Sequence, residues 1–304
     1  MSVLMFISLK GGVAKTTSAV AVAECLASEG MRVLVIDADH QCSASELLLG
    51  EEQVVRCDKR KTTLYDMLVQ MTKDDFEVEE FERFVVPNGS NIIGLKTLSV
   101  LPSSLRLDDW QVNRLKARDD LSGDDYVRLW RKRIRQFRLW LSATFHYVII
   151  DCPPSVAIQV KQMLILTDGI VIPSVPDRLS VRGAQFLINR LQKAGFKTPY
   201  IGMLWSMARS DVAVHKQYIE FGKVDAPLIQ GLPAPFSTVI PHMAAITKAA
   251  EDRQCPNTFA SKYGVGAKYY RDVCHEIVRR LEWEMPTDSS SKEASSKAQT
   301  SSIH

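Results

Sequence analysis

Two lysines five positions apart, Lys10 and Lys15, enclose two glycines and precede two threonines, giving KGGVAKTT at residues 10 to 17. A short apolar run, VLMFIS, comes before them, and a longer amphipathic stretch begins at Lys15. A strand, a glycine-rich loop and a helix start, in that order, turn backbone N–H groups and the positive end of a helix toward one point, which makes a phosphate site. The strict form of such a loop is not met, because Leu9 and Ala14 stand where it has glycine. Asp37 and Asp39 close a second apolar run, and Asp151 closes a third within VIIDCPPS at 148 to 155. Acids at the tips of parallel strands lie on the edge where open α/β sheets bind ligands, and two of them there invite a metal ion and a water. Asp151 stands at the same edge and could join them in holding the water shell of such an ion. Taken singly, strand-end acids also serve as helix caps. Together the three segments point to phosphoryl chemistry.

The elements that must position these residues can be read from periodicity. Strands are expected at Val3 to Ser8, Arg32 to Asp37, Tyr147 to Asp151, Gly169 to Pro173, Tyr200 to Trp205 and Ser237 to Ile240. Helices are expected at Lys15 to Glu29, Leu179 to Ala194 and Val212 to Phe221, the first two followed by Gly30 and Gly195 as C-caps. Apolar runs of this kind suit strands covered on both faces. The expected fold is therefore α/β: a doubly wound, mainly parallel sheet with helices on both faces, in a single domain at residues 1–285. Residues 51–145 read as a mostly helical elaboration around a short strand-like segment, Leu98 to Leu101. Residues 286–304 form a serine-rich tail with almost no apolar side chain, expected to be disordered.

Composition sets outer bounds. The chain has 304 residues, 46% of them hydrophobic and 24% charged, and a formal net charge of +3, which permits contact with nucleic acid without arguing for it. Six cysteines show no metal-ligand spacing and are expected to be reduced and structural. No apolar stretch has the length of a membrane span, and a cytoplasmic location is expected. One basic run is prominent. In YVRLWRKRIRQFRLWL, Val127, Trp130, Ile134, Phe137 and Leu141 recur at helical spacing, with Arg128, Arg131, Arg135 and Arg138 one residue later on the flank. It is either a solvated helix face balanced by nearby aspartates or a surface for DNA or a partner.

KGGVAKTT resembles the deviant Walker A motif of the ParA/MinD family of P-loop ATPases, in which an extra lysine precedes the usual one. TLYDML, LSVLPSSLRL, GIVIPSV, IGMLWSM and FSTVIPHMAAITKAA look like the shorter ParA-type (Soj-like) partition ATPases, which lack an N-terminal DNA-reading domain. The resemblance implies ATP and Mg²⁺ as the ligands. It gives Lys15 the β- and γ-phosphates, Thr16 the metal, Thr17 the α-phosphate, and the backbone of Gly11, Gly12, Val13 and Ala14 the cradle. Asp39 would orient the attacking water, with Asp37 and Asp151 near Mg²⁺. Lys10 would cross a dimer interface to the ATP of the other subunit, since its charge has no evident use within one subunit. Met207 and Pro241 would lie by the adenine. His40 replaces the proline usual after Asp39 and is expected to face solvent, outside the catalytic set. The family also implies slow ATP hydrolysis, an ATP-dependent homodimer, nonspecific DNA binding through basic residues near the C-terminus and a ParB-like or cargo-adaptor partner. Lys262, Lys268 and Arg271 are the candidates for DNA, although Phe236, Ser237, His242 and Met243 stand where relatives often carry arginines. Two rival readings are a MinD-like membrane-positioning ATPase and a P-loop enzyme acting on a small molecule. The first would end in an amphipathic membrane helix, whereas the apolar positions of Tyr269 to Met285 suit packing on the sheet.

Overall fold

The computed structural model describes residues 1–110, 122–223, 231–251 and 255–284. Its centre is a six-stranded sheet in the order β3-β2-β4-β1-β5-β6 with every neighbouring pair parallel. The strands are β1 (Ser2–Phe6), β2 (Val33–Asp37), β3 (Leu98–Leu101), β4 (Tyr147–Asp151), β5 (Gly169–Ser174) and β6 (Tyr200–Trp205). The described helices are α1 (Lys15–Ser28), α2 (Ser43–Leu49), α3 (Glu51–Arg60), α4 (Leu64–Gln70), α5 (Gly123–Thr144), α6 (Ile158–Leu164), α7 (Arg178–Lys193), α8 (Ala213–Lys223), α9 (Ala244–Glu251), α10 (Phe259–Tyr263) and α11 (Ala267–Glu284).

Alternate strand residues feed two apolar layers, as a two-residue period requires. Val3, Met5, Leu34, Ile36, Val148 and Ile150 face α4 to α7, whereas Leu4, Phe6, Val33, Val35 and Ile149 face α1, α2 and α9 to α11. β1 leads to β2 through α1 on one face, while β4 leads to β5 through α6 on the other. The chain therefore reverses direction across the sheet at β1, and the crevice beyond the C-terminal end of β1 is the ligand position of this architecture. α1 and α7 stop where expected: Gly30 and Gly195 have φ of +86° and +81°, a conformation that glycine adopts without strain.

Three expectations need correction. Ser237 to Ile240 is not a strand. The segment runs beside β6 with single bridges at Met203–Pro235 and Ala208–Pro241, and these prolines, having no N–H, cannot carry a continuous ladder. Leu98 to Leu101 is a strand, as its strand-like sequence suggested, but it is β3, an edge strand of the main sheet rather than part of a separate helical elaboration. On α5 the apolar stripe begins at Trp130, because Val127 is 46% exposed. Two of the basic residues there serve the fold. Arg133 is buried and donates to the carbonyls of Lys73, Asp74 and Phe76, and Arg138 donates to the Leu166 carbonyl and pairs with Asp168 at 2.7 Å. Arg128, Arg131, Lys132 and Arg135 point outward. The serine-rich tail at 286–304 lies outside the described residues.

Candidate nucleotide site

The loop from Lys10 to Ala14 crosses the crevice at the end of β1. Gly12 and Ala14 both have positive φ, +72° and +54°, the alternation that gathers successive N–H groups into a concave nest. Among the described residues, none of the N–H groups of Gly11 to Ala14 donates to a backbone carbonyl. α1 then opens at Lys15 with no acidic residue in its first turn, so its positive end is not neutralised from within. Thr16 and Thr17 follow on that turn.

β2 and β4 are paired in a register that sets Asp37 opposite Asp151. The Lys15 ammonium lies 3.0 Å from Asp151 Oδ1, and Thr16 Oγ1 donates to Asp151 Oδ2 at 2.7 Å. Burial works against the charge on Lys15, but the carboxylate of Asp151 outweighs it and holds the ammonium above its ordinary value. Asp37 is fully buried. It accepts from the Ser45 N–H and hydroxyl at 2.8 and 2.6 Å and from the Asp39 N–H at 3.1 Å. Burial, then the neighbouring Asp151, pushes Asp37 up to about 7. Asp39 is nearly buried and accepts from the Gln41 N–H at 3.0 Å, with His40 Nδ1 3.7 Å from the same oxygen. His40 is thus half-buried beside Asp39 rather than turned freely to solvent.

Asp37, Asp39 and Asp151 cluster at this end of the sheet, and among the described residues Lys15 pairs with Asp151 alone, an excess of negative charge on oxygen donors that suits a hard divalent cation. Among the described residues, no three or more His, Cys, Asp or Glu side chains converge into a complete metal cage. That fits an ion which keeps water and phosphate oxygens in its shell, as Mg²⁺ does. Thr16 and Asp151 would hold it, with Asp37 behind them.

Lys10 stands elsewhere on the rim. Its ammonium donates to Asp177 Oδ2 at 2.7 Å and to Ser180 Oγ at 3.1 Å, both at the start of α7. Burial opposes the charge on Asp177, but Lys10 and the capped Ser180 N–H hold its carboxyl below the usual range. The expectation that Lys10 lacks a use within one subunit is therefore corrected. Asp177, Ser180 and Ser45 were not among the site residues read from sequence; the only local signal was an acid three residues before a serine at a helix start, the pattern of an N-cap.

At the positions expected to border the base, Met207 has φ of +55°, and Ala208 N–H donates to the Ile240 carbonyl at 3.1 Å. Pro241 lines an adjoining cavity of about 530 Å³ with Ala208, Arg209, Val239 and His242, and Met207 does not. Of the three DNA candidates, Lys268 and Arg271 are exposed on α11. Lys262 is not available: its side chain is 4% exposed, with the ammonium 2.7 Å from buried Glu24 and 2.8 Å from Asn91 Oδ1. Glu24 also accepts from Ser90 and Tyr263, so Lys262 neutralises a carboxylate inside the fold.

A family model described as an AAA domain matches residues 1–198. The chain is 27% identical over 273 residues to the sporulation initiation inhibitor protein Soj of Bacillus subtilis (strain 168), covering 88% of this chain and 94% of that protein. Among solved structures it resembles pNOB8 ParA bound to nonspecific DNA, with a TM-score of 0.64 at 19% identity over 93% of this chain and 99% of that one. It also resembles cobyrinic acid a,c-diamide synthase from Mycobacterium smegmatis with bound ADP and magnesium, with a TM-score of 0.65 at 21% identity over 95% and 99% of the two chains.

Proposed function

The chain belongs to the AAA-domain family, as a P-loop ATPase of the ParA/MinD type, and from that premise we propose that it is an ATP-dependent dimer switch which partitions or positions DNA or another cargo. ATP lays its phosphates along the N–H groups of Gly11 to Ala14. Lys15 meets the β- and γ-phosphates, turning from Asp151, and Thr17 meets the α-phosphate. Thr16 and Asp151 would hold Mg²⁺, which would supply positive charge to the phosphates. Asp39, nearly buried and adjacent to that point, orients the attacking water. Pro241 and Met207 border the base.

The observation that carries the switch is Lys10. Lys15 already supplies a cation to the loop, and Lys10 sits on the rim in an ion pair whose two side chains are 30% and 27% exposed. A partly exposed pair of this kind contributes little and exchanges readily for a stronger anion. A triphosphate in a second subunit is such an anion, and two like cations close together are tolerated when phosphate lies between them. With a nonhydrolysable ATP analogue and Mg²⁺, the protein should double its mass in light scattering, whereas ADP should leave it largely monomeric. Lys10→Ala should bind nucleotide yet lose the mass change; if it dimerises like wild type, the trans-acting lysine is wrong.

Nonspecific DNA binding draws support from the likeness to a ParA structure bound to nonspecific DNA, and its dependence on ATP is part of the proposal. A ParB-like partner presenting a basic segment would stimulate hydrolysis. The small-molecule alternative draws support from the likeness to cobyrinic acid a,c-diamide synthase. ATP turnover that rises with a metabolite, and not with DNA plus a partner protein, would favour it. A MinD-like membrane role has less support, because Val273, Ile277 and Leu281 of α11 are buried in the core. Among the described residues no helix is long and apolar enough to cross a membrane.

A further inference from the structure

We infer that Ser206 is a positioning residue for the phosphate loop: its hydroxyl holds the Val13 carbonyl against the end of β6 and thereby aims the Ala14 N–H at the phosphates. Ser206 is the first residue past β6 and is fully buried. Its N–H donates to the Ser174 carbonyl at the end of β5 at 2.9 Å, which fixes its backbone to the sheet. Its Oγ donates to the Val13 carbonyl at 2.7 Å, across 193 residues of sequence, and lies 3.4 Å from the Ser174 carbonyl. A hydrogen bond in so dry a setting is stronger than its equivalent in water.

The consequence follows from peptide geometry. No peptide bond among the described residues is cis, and in a planar trans peptide the C=O and the next N–H point in opposite directions. With the Val13 carbonyl turned toward β6, the Ala14 N–H is turned away from it, to the open side of the loop. Ala14 needs this tether more than a glycine would. The strict loop pattern has glycine at this position, and here an alanine is held at φ +54°, a conformation that a residue with a Cβ adopts only when its surroundings impose it. The same serine immediately precedes Met207 and Ala208, so the base-side segment and the phosphate cradle share one anchor.

The inference rests on the nucleotide site alone, not on the dimer or on DNA. It can be tested by displacing a fluorescent N-methylanthraniloyl ATP from the full chain, in Mg²⁺, with either ATP or inorganic tripolyphosphate. Ser206→Ala should weaken both competitors about tenfold, one misdirected donor's worth of affinity. Ser206→Thr, which keeps the hydroxyl, should restore both to within about threefold of wild type. Ser206→Cys, which replaces the hydroxyl with a bulkier and weaker donor, should fall between them. The unfolding midpoint without nucleotide, measured for each variant, separates this from loss of fold. Unchanged affinity in Ser206→Ala overturns the inference. So does a loss confined to ATP with tripolyphosphate unaffected, which would put the effect on the base. A wild-type protein that binds neither ligand would count against the site itself.

Discussion

At the scale of single residues, the candidate site divides into groups proposed to meet the nucleotide and groups that hold those groups in place. Lys15→Ala should abolish Mg·ATP binding in calorimetry, because no other loop residue brings a point charge to the β- and γ-oxygens and Asp151 would lose its buried partner. Asp39→Ala should leave binding within a few-fold of wild type and slow hydrolysis by roughly 10²-fold, the usual scale for losing a water-orienting base. Single-turnover phosphate release separates the two steps, and wild-type hydrolysis in Asp39→Ala would move that role elsewhere. Lys15, Thr16 and Asp151 were legible in the sequence because each sits in a short segment whose residue types and spacing have few other uses. Asp177, Ser180 and Ser206 were not. Lys10 and Asp177 are 167 positions apart, and nothing local to either marks the pairing. The charge on Lys10 looked idle only because its partner arrives through the fold.

Among elements, the register of β2 on β4 does the most, since it alone brings Asp37 and Asp151 side by side and makes their charges interact. The alternation of strands and covering helices along the chain was legible because the sheet is buried on both faces and its apolar runs are unbroken. The segment at 237 to 240 misled because three of its four residues are β-branched, while the prolines near it decide its pairing. What fixes it is α11. Glu276, nearly buried, accepts from the Ser237 N–H at 3.0 Å and its hydroxyl at 2.6 Å and from Arg280 at 2.7 Å. Burial works against this carboxylate, but Ser237 and Arg280 hold its pKa below the ordinary value. Its stabilising contribution is therefore present at neutral pH and is lost as the pH falls from the ordinary glutamate range through the lowered folded value. Glu276→Gln should cost about 2 kcal/mol at pH 7. Thermal melts should show the gap to wild type closing toward acid. A gap that widens there would contradict the assignment.

For the molecule as a whole, charge is divided between two faces of the sheet. Lys268 and Arg271 lie with α11 on one side, and Arg128, Arg131, Lys132 and Arg135 lie with α5 on the other. Nonspecific DNA binding in the ATP state should fall steeply with salt and be indifferent to sequence. Charge reversal at Lys268 and Arg271 should weaken it more than reversal at Arg128, Arg131 and Arg135, read by fluorescence anisotropy on a random duplex with an ATP analogue. Lys262→Glu should instead lower thermal stability, since it would bury two carboxylates together. Equal binding with and without nucleotide would sink the DNA reading while leaving the ATP site intact. The two rims of the sheet bear on how copies can meet. Val86 pairs antiparallel with Val100 along the outer side of β3, and the 235–241 segment, with Arg280 on the Ile201 carbonyl, occupies the outer side of β6. Among the described residues both rims are thus partly covered, which disfavours lengthening the sheet by a strand from another molecule. Chains that crowd together at high concentration thereby meet capped rims rather than open strand edges, which works against zipping edge to edge.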